Sequence, residues 1–292
     1  MKFIHTFWSK PMLNSKFGTR KNHLRAILTD YSYSVHCIKK HNEKIVLYAD
    51  SFGAELLSFI PYDDVIILDN LDNESIHFAA QTKIEALKRC DLGDVLIDGD
   101  LFLIHQESID IIKEKLSRND VIYSFFEPNE LTCCENMKDF YREMLPKMNV
   151  IKYDSPYKIP NTWDEMNWFN TSLMAFTNKK LLDEYIIQYD HHKYLLKDID
   201  FGGTWPDIII EQYFLTRLVK NKYKSEPVIK NYYFDISVSH YSKHIGFIHL
   251  GCTKQVVNKY YEEVLFKENP SLYRSMTNQY HNYLKIIKQV II

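Results

Sequence analysis

The chain has 292 residues, 46% of them apolar and 25% charged, which suits one large α/β domain or a core with an appendage and excludes a disordered or collagen-like chain. Thirty-six basic against 38 acidic residues give a formal charge of -2, so no global positive field is available to hold nucleic acid, and such a partner is not expected. The five cysteines, at 37, 90, 133, 134 and 252, are odd in number and lack the spacing of a zinc site, so they read as reduced thiols in a cytoplasmic compartment.

Lys2–Phe7 is the first predicted strand, too short and too soon followed by Lys10 and Pro11 to be a signal peptide. At its end His5, Thr6, Trp8, Ser9 and Lys10 stand where a base, ribose and phosphate bind in an open parallel sheet, although Trp8 is equally suited to packing. Further strands are predicted over Lys44–Tyr48, Val65–Leu68, Asp94–Ile97 and Asp120–Phe125. Asp50, beyond the second, either binds ribose or caps the next helix. Helical periodicity lies between the strands, with Ile76, Ala80, Lys83, Ile84 and Leu87 on one stripe and Ile109, Ile112 and Leu116 on the next. Lys83, on the inward stripe, either pairs with Asp100 or a ligand hydroxyl or snorkels to the surface. The alternation of strand and helix predicts an α/β fold with a Rossmann-like, mixed but mostly parallel sheet flanked by helices.

The second half carries Trp163, Asp164 and Trp205 in or beside irregular polar segments, a surface suited to stacking a sugar acceptor. The apolar run Trp168–Phe176 lies between them. A helix starting near Pro206 is apolar nearly all round, so Glu211 and Gln212 on it need buried partners, for which a metal site or a sugar hydroxyl is expected. From Gln255 two helical patterns follow. Leu272, Met276, Tyr280, Tyr283, Ile287 and Val290 line the last one, which predicts a helical extension over 256–292 packed on a core domain over 1–255. A weak peripheral contact with the inner face of a membrane is the lesser alternative, because Arg274, Lys285 and Lys288 are few charges for anionic lipid. No apolar run approaches the roughly 18 residues that span a bilayer.

The sharpest feature is Asp94-Val95-Leu96-Ile97-Asp98-Gly99-Asp100, an apolar strand that runs straight into two carboxylates spaced by a glycine. Ligands bind at the carboxyl ends of strands in such sheets, so these acids face a crevice. Two hard oxygen donors suit Mg²⁺ or Mn²⁺, which commonly bridge carboxylates to substrate phosphates. Asp198-Ile199-Asp200 repeats the spacing without the preceding strand, so spacing alone does not select a metal site. His249, after Gly246-Phe247-Ile248, is either a satisfied core histidine or a third ligand.

Several segments together resemble, in order, the glycosyltransferases of the GT-A fold, families 8 and 32. These are the helix Phe78–Leu87, then Asp98-Gly99-Asp100, then Trp168-Phe169-Asn170-Thr171-Ser172-Leu173-Met174-Ala175-Phe176, then Pro206–Leu215, and finally His249-Leu250-Gly251-Cys252-Thr253-Lys254. Ser172 stands where the family has Gly, and Gln255-Val256 where family 8 has Pro-Trp. The resemblance implies a GT-A type fold and transfer of a sugar from a nucleotide-diphosphate sugar to a hydroxyl of a carbohydrate or glycan acceptor. It implies Asp98, Asp100 and His249 as metal ligands. Donor contacts are implied from Gly99, Asn170, Gly251 and Lys254 beside His5, Thr6, Trp8, Lys10, Asp50 and Lys83. Glu211, Gln212 and Asp207 are implied as catalytic residues, by base catalysis if configuration inverts and by stabilising an oxocarbenium-like centre if it is retained. The alternatives are a sugar nucleotidyltransferase, for which Phe17-Gly18-Thr19-Arg20 resembles a triphosphate loop, and a binding protein that has lost activity.

Overall fold

The computed structural model describes residues 1–14, 20–71, 74–127, 143–148, 151, 168–201, 206–207, 209–220, 222–230, 233–235, 239–242, 246–250 and 254–290. It is a mixed α/β protein with a seven-stranded sheet, order β3-β2-β1-β4-β7-β6-β8, and a four-stranded sheet, order β5-β11-β10-β9. The strands of the large sheet are β1 (Phe3–Phe7), β2 (Ile45–Ala49), β3 (Asp64–Ile67), β4 (Val95–Ile97), β6 (Val121–Glu127), β7 (Trp168–Phe176) and β8 (Ser225–Pro227). The small sheet holds β5 (Leu101–Leu103), β9 (Tyr233–Asp235), β10 (Ser239–Ser242) and β11 (Phe247–His249). Each strand predicted from the sequence has its counterpart to within one or two residues, and the run from Trp168 is a strand too, buried at every position. The chain forms two compact units. One is Met1–Asp72, Ile97–Ile109 and Tyr233–Ile292; the other is Asn73–Leu96 and Asp110–Tyr232.

In the first unit β1 pairs with β2 and β2 with β3, both in parallel. β1 and β2 are buried almost throughout, as apolar strands covered on both faces must be. α1 (Ser9–Asn14) and α3 (Ser51–Leu56) follow strand ends, and α2 (Arg20–Lys40) buries Leu24, Leu28, Val35 and Ile38. The small sheet is antiparallel, with β11 between β5 and β10. Two helices, α8 (Lys254–Glu268) and α9 (Pro270–Val290), complete this unit. The sequence suggested a boundary near residue 255, and here α8 and α9 pack on α2 inside the first unit. The forked guanidinium of Arg25 grips Glu262 of α8 and lies 5.1 Å from the Tyr280 ring of α9. Leu272, Met276 and Tyr283 form the buried stripe of α9, whose Gln279 amide donates to the carbonyls of Glu55 and Leu56.

In the second unit β6 pairs antiparallel with β7 and parallel with β8. The register between β6 and β7 shifts between Tyr123 and Phe125, and the hydroxyl of Ser124 fills the irregularity. It donates toward Asn170 and exchanges a hydrogen bond with Ser172, while the amide of Leu173 donates to it. Ser172, where the resembled family has Gly, is thus part of the bulge. α4 (Gln81–Leu87) and α6 (Lys179–Leu196) are joined through Lys193, which meets Glu74 and Gln81, and Lys88, which meets Glu85 and Asp190. α5 (Gln106–Leu116) spans the boundary of the two units in sequence. The helix expected from Pro206 takes another form, in which residues Ile209–Tyr213 make a π-turn before α7 (Phe214–Val219). Among the described residues no helix is long and apolar enough to cross a membrane.

Met276 is 1% exposed and Ile187 63% exposed. Urea unfolding of Met276→Ala is expected to show a loss of about 2–5 kcal/mol, against less than about 0.5 kcal/mol for Ile187→Ala. Equal losses would mean that α9 does not rest on α2 as described.

Candidate metal centre

β4 delivers the chain into a tight turn, closed by the Leu101 amide donating to the Asp98 carbonyl at 3.0 Å, and β5 leaves it. The sequence Asp98-Gly99-Asp100 is this turn. A Cβ on Gly99 would lie 2.3 Å from the Tyr31 ring, so only glycine fits above that ring. Tyr31 is fixed in place. Its hydroxyl donates to the Thr6 carbonyl at 2.6 Å, and its ring meets His5 and Phe7 edge-on at 5.1 and 5.4 Å. Burial, and then the carboxylates of Asp98, Asp100 and Asp30, push its pKa well above the usual range, so it stays a neutral phenol beneath the acids.

The third member comes from far along the chain by backbone pairing. In the β5/β11 ladder His249 lies opposite Leu101, and the next amide, Leu250, donates to the Asp100 carbonyl at 3.1 Å. The ladder therefore sets the imidazole beside the carboxylate turn. Asp98, Asp100 and His249 each offer a ligand atom, all within 4.8 Å of one another. Ligands held about 2.0–2.1 Å from one Mg²⁺-sized ion lie about 3 Å apart when adjacent and about 4 Å when opposite. His249 Nε2 stands 3.7 Å from Asp100 Oδ2, too far for a hydrogen bond and well placed for two ligands of one ion. Two carboxylates and an imidazole fit Mn²⁺ better than a purely oxygen-seeking Mg²⁺. By contrast Asp198 and Asp200, with the same spacing, are exposed.

Around this turn the structure assigns other duties to residues expected to touch a nucleotide. His5 is fully buried, accepting at Nδ1 from the Tyr62 hydroxyl (2.9 Å) and donating at Nε2 to Ser34 (3.0 Å). That tautomer follows because the single hydroxyl hydrogen of Ser34 goes to the Leu101 carbonyl at 2.7 Å. Burial drives the His5 pKa down to about 3 against the opposing charge of Asp100, so His5 is a neutral core imidazole. Asp50 acts as a cap, accepting from the Gly53 amide at 3.1 Å and from the amide and hydroxyl of Ser9. Trp8 is buried, with Lys10 Nζ 5.9 Å from its ring centre, and Thr6 is half-buried.

The proposed sugar-side residues lie in the second unit. Glu211, on the π-turn, is 4% exposed, and its Oε1 accepts from Lys83 Nζ at 2.9 Å and from the Thr171 hydroxyl at 2.8 Å. Lys83 also donates to the Thr171 carbonyl at 3.3 Å. Its ionic partner is Glu211, where the sequence offered Asp100, a ligand hydroxyl or the surface, and Glu211 meets a lysine and a threonine where a metal site or a sugar hydroxyl was expected. Asp207 is buried and accepts from the Ala80 amide at 2.6 Å, at the start of α4; Gln212 is half-buried. Asn170 is spent on the β6/β7 bulge, its Oδ1 accepting from the Ser172 amide at 3.0 Å. Trp163, Asp164, Trp205 and Gly251 lie outside the described residues, as does the side chain of Lys254, the first residue of α8. Two residues that carry the geometry, Tyr31 and Thr171, were not marked by the sequence. Thr171 stood inside the quoted strand motif, whereas Tyr31 left no local signal beyond the glycine it requires.

A family model matches residues 1–279, and its description is a family of unknown function, DUF6734. The chain belongs to that family. No curated protein sequence is detectably similar to it. Among solved structures it is similar to the bifunctional IspDF from Campylobacter jejuni, with 14% identity and a TM-score of 0.42, covering 79% of this chain. The chain spans only 49% of that bifunctional protein. It is also similar to the galactosyltransferase LgtC in complex with donor and acceptor sugar analogs, with 11% identity and a TM-score of 0.38, over 72% of this chain and 70% of LgtC. A third is a 4-diphosphocytidyl-2C-methyl-D-erythritol synthase from Anaerococcus prevotii, with 12% identity and a TM-score of 0.41, over 90% of this chain and 99% of the other.

Two outcomes check this geometry. Gly99→Ala is expected to cost about 1–3 kcal/mol in denaturant unfolding, because the Tyr31 ring must move; an unchanged midpoint would show that the ring yields freely. Folded His5, with its pKa near 3, stays neutral where unfolded His5, near 6.5, takes up a proton. Acid therefore favours the unfolded chain, and stability falls as pH drops from about 6.5 toward 3. His192, lowered to about 4 by burial, adds to the same trend. His5→Gln should flatten the curve of unfolding free energy between pH 7 and 5, and a curve of unchanged slope would remove His5 from it.

Proposed function

We propose that the chain is a divalent-metal-dependent glycosyltransferase that moves a sugar from a nucleotide-diphosphate sugar to a hydroxyl of a carbohydrate acceptor, in glycan or polysaccharide synthesis. One observation carries the reading: Asp98, Asp100 and His249, drawn from distant parts of the sequence, converge within 4.8 Å at the end of a buried strand. In this reading they hold Mn²⁺ or Mg²⁺. When bound, such an ion offsets the negative charge that grows on a departing nucleoside diphosphate. The turn above Tyr31 contributes preorganisation, since the two carboxylates are set by a glycine that admits no other side chain.

Glu211, with Gln212 and Asp207, carries over as the proposed catalytic group. Oε1 of Glu211 accepts from Lys83 and Thr171, so the carboxylate is held in one orientation with its charge met by the Lys83 ammonium, ready to orient a sugar. Asp207 Oδ2 is occupied by the Ala80 amide and suits a positioning role. Trp163, Asp164 and Trp205 remain the proposed acceptor platform.

The direct test is nucleotide release from UDP- and GDP-sugars by the full chain with Mn²⁺. Release that stops with EDTA and falls at least about 100-fold in Asp100→Ala is expected, because one carboxylate and an imidazole hold the ion weakly. Neither binding nor hydrolysis of any donor would end the enzyme reading, and unchanged Mn²⁺ affinity in Asp100→Ala would move the metal elsewhere. Glu211→Gln, which keeps shape and loses charge, is expected to lower turnover at least about 100-fold with Mn²⁺ affinity intact. Full activity in that variant would remove Glu211 from the chemistry.

A further inference from the structure

The second unit carries a cavity of about 430 Å³ against β6, β7 and α7, within the size range of small-molecule sites. One wall is aromatic. Tyr123 and Phe169 stack face to face with ring centres 3.7 Å apart and planes 9° from parallel. Phe126 meets Phe169 edge-on at 6.4 Å and is 43% exposed. Tyr213, Arg217 and Lys220 also line it, the last two exposed. A single exposed phenylalanine means little, but one that opens onto an aromatic cavity is apolar surface held ready for a ligand.

The charges point to what that ligand carries. In this unit Lys83, Lys88, Lys115, Arg118, Lys193 and Lys222 each meet a carboxylate. Arg217 and Lys220 meet none among the described residues, which is also true of Lys197 and Lys230, but Arg217 and Lys220 line the cavity, and Arg217 lies 6.0 Å from the Tyr213 ring. Three residues apart at the end of α7, they are neighbours of like charge, an arrangement that an anion between them relieves.

We infer that this cavity binds a saccharide bearing an anionic group, carboxylate or phosphate, with the sugar ring against the Phe126 side and the anion between Arg217 and Lys220. The aromatic geometry favours a sugar over a flat base. Tyr123 and Phe169 cover each other and are both buried, so the exposed aromatic surface on this wall is Phe126, a single apolar face. A pyranose needs one apolar face and hydroxyl partners along its edge. Ser225 supplies one, and Tyr123 another, its phenol kept protonated because burial and Glu226 push its pKa up to about 12. None of these residues belongs to the metal centre, so the inference stands apart from the glycosyltransferase reading.

Calorimetry on the full chain in EDTA, with glucuronate, glucose 6-phosphate, glucose and inorganic phosphate as probes, separates the possibilities without the metal. At least one anionic sugar is expected to bind ten-fold or more tightly than both glucose and inorganic phosphate, and the preferred one identifies the anion. Arg217→Ala with Lys220→Ala, and separately Phe126→Ala, should each weaken that binding at least ten-fold, while Phe126→Tyr retains it. These side chains are exposed, so circular dichroism and melting temperature should stay near those of the parent chain. Absence of saturable binding by either anionic sugar overturns the inference. So does inorganic phosphate binding as tightly as the sugars, or indifference to the Arg217/Lys220 change. UMP binding more tightly than either sugar, with loss in the same variants, would make it a nucleotide site and equally overturn it.

Discussion

The carboxylate turn is shaped by one contact, the Tyr31 ring lying where a side chain at position 99 would be. It ties α2 to the end of β1 through the Thr6 carbonyl and leaves the turn after β4 a single shape. The two carboxylates then emerge beside a phenol that burial keeps neutral. Acidic groups placed close together repel, and the backbone bonds that close the turn and join it to β11 hold them there. The buried chain from Tyr62 through His5 and Ser34 to the Leu101 carbonyl braces the same turn from the other side.

Much of this architecture was legible from the sequence because strands covered on both faces must be largely apolar, and Ile45–Ala49 and Val95–Ile97 are, while Trp168–Phe176 is apolar at both ends around Asn170, Thr171 and Ser172. The choice of Asp98-Gly99-Asp100 over Asp198-Ile199-Asp200 was legible for the same reason, since only the first follows such a strand. Less legible were the partners of polar groups. Asp50 and Asp207 carry the same chemistry whether they meet ribose, acceptor or a backbone amide, and the structure uses both on amides. Lys83 was correctly placed on the inward stripe of its helix, yet its partner Glu211 lies 128 residues away in sequence, and no local pattern specifies such a pairing.

The π-turn at Ile209–Tyr213 shows another limit of reading by period. The segment is buried nearly all round, as its composition required, but a widened turn changes which side chains share a face. Heptad or 3.6-residue bookkeeping across it misassigns the neighbours of Glu211. Such turns recur at functional sites, and here one carries a buried carboxylate held by an ammonium and a hydroxyl.

The ladder that brings His249 to Leu101 also has a bearing on how the molecule is made. During synthesis the two carboxylates leave the ribosome early, whereas their imidazole arrives only after the long stretch forming most of the second unit, Asp110–Tyr232, has been made. Closing so long a loop is slow, and the middle of the chain has time to fold first. The candidate metal centre thus cannot be complete before β11 has been made, and a chain released short of it would carry Asp98 and Asp100 without His249. The candidate centre is complete only in molecules whose final strand has docked.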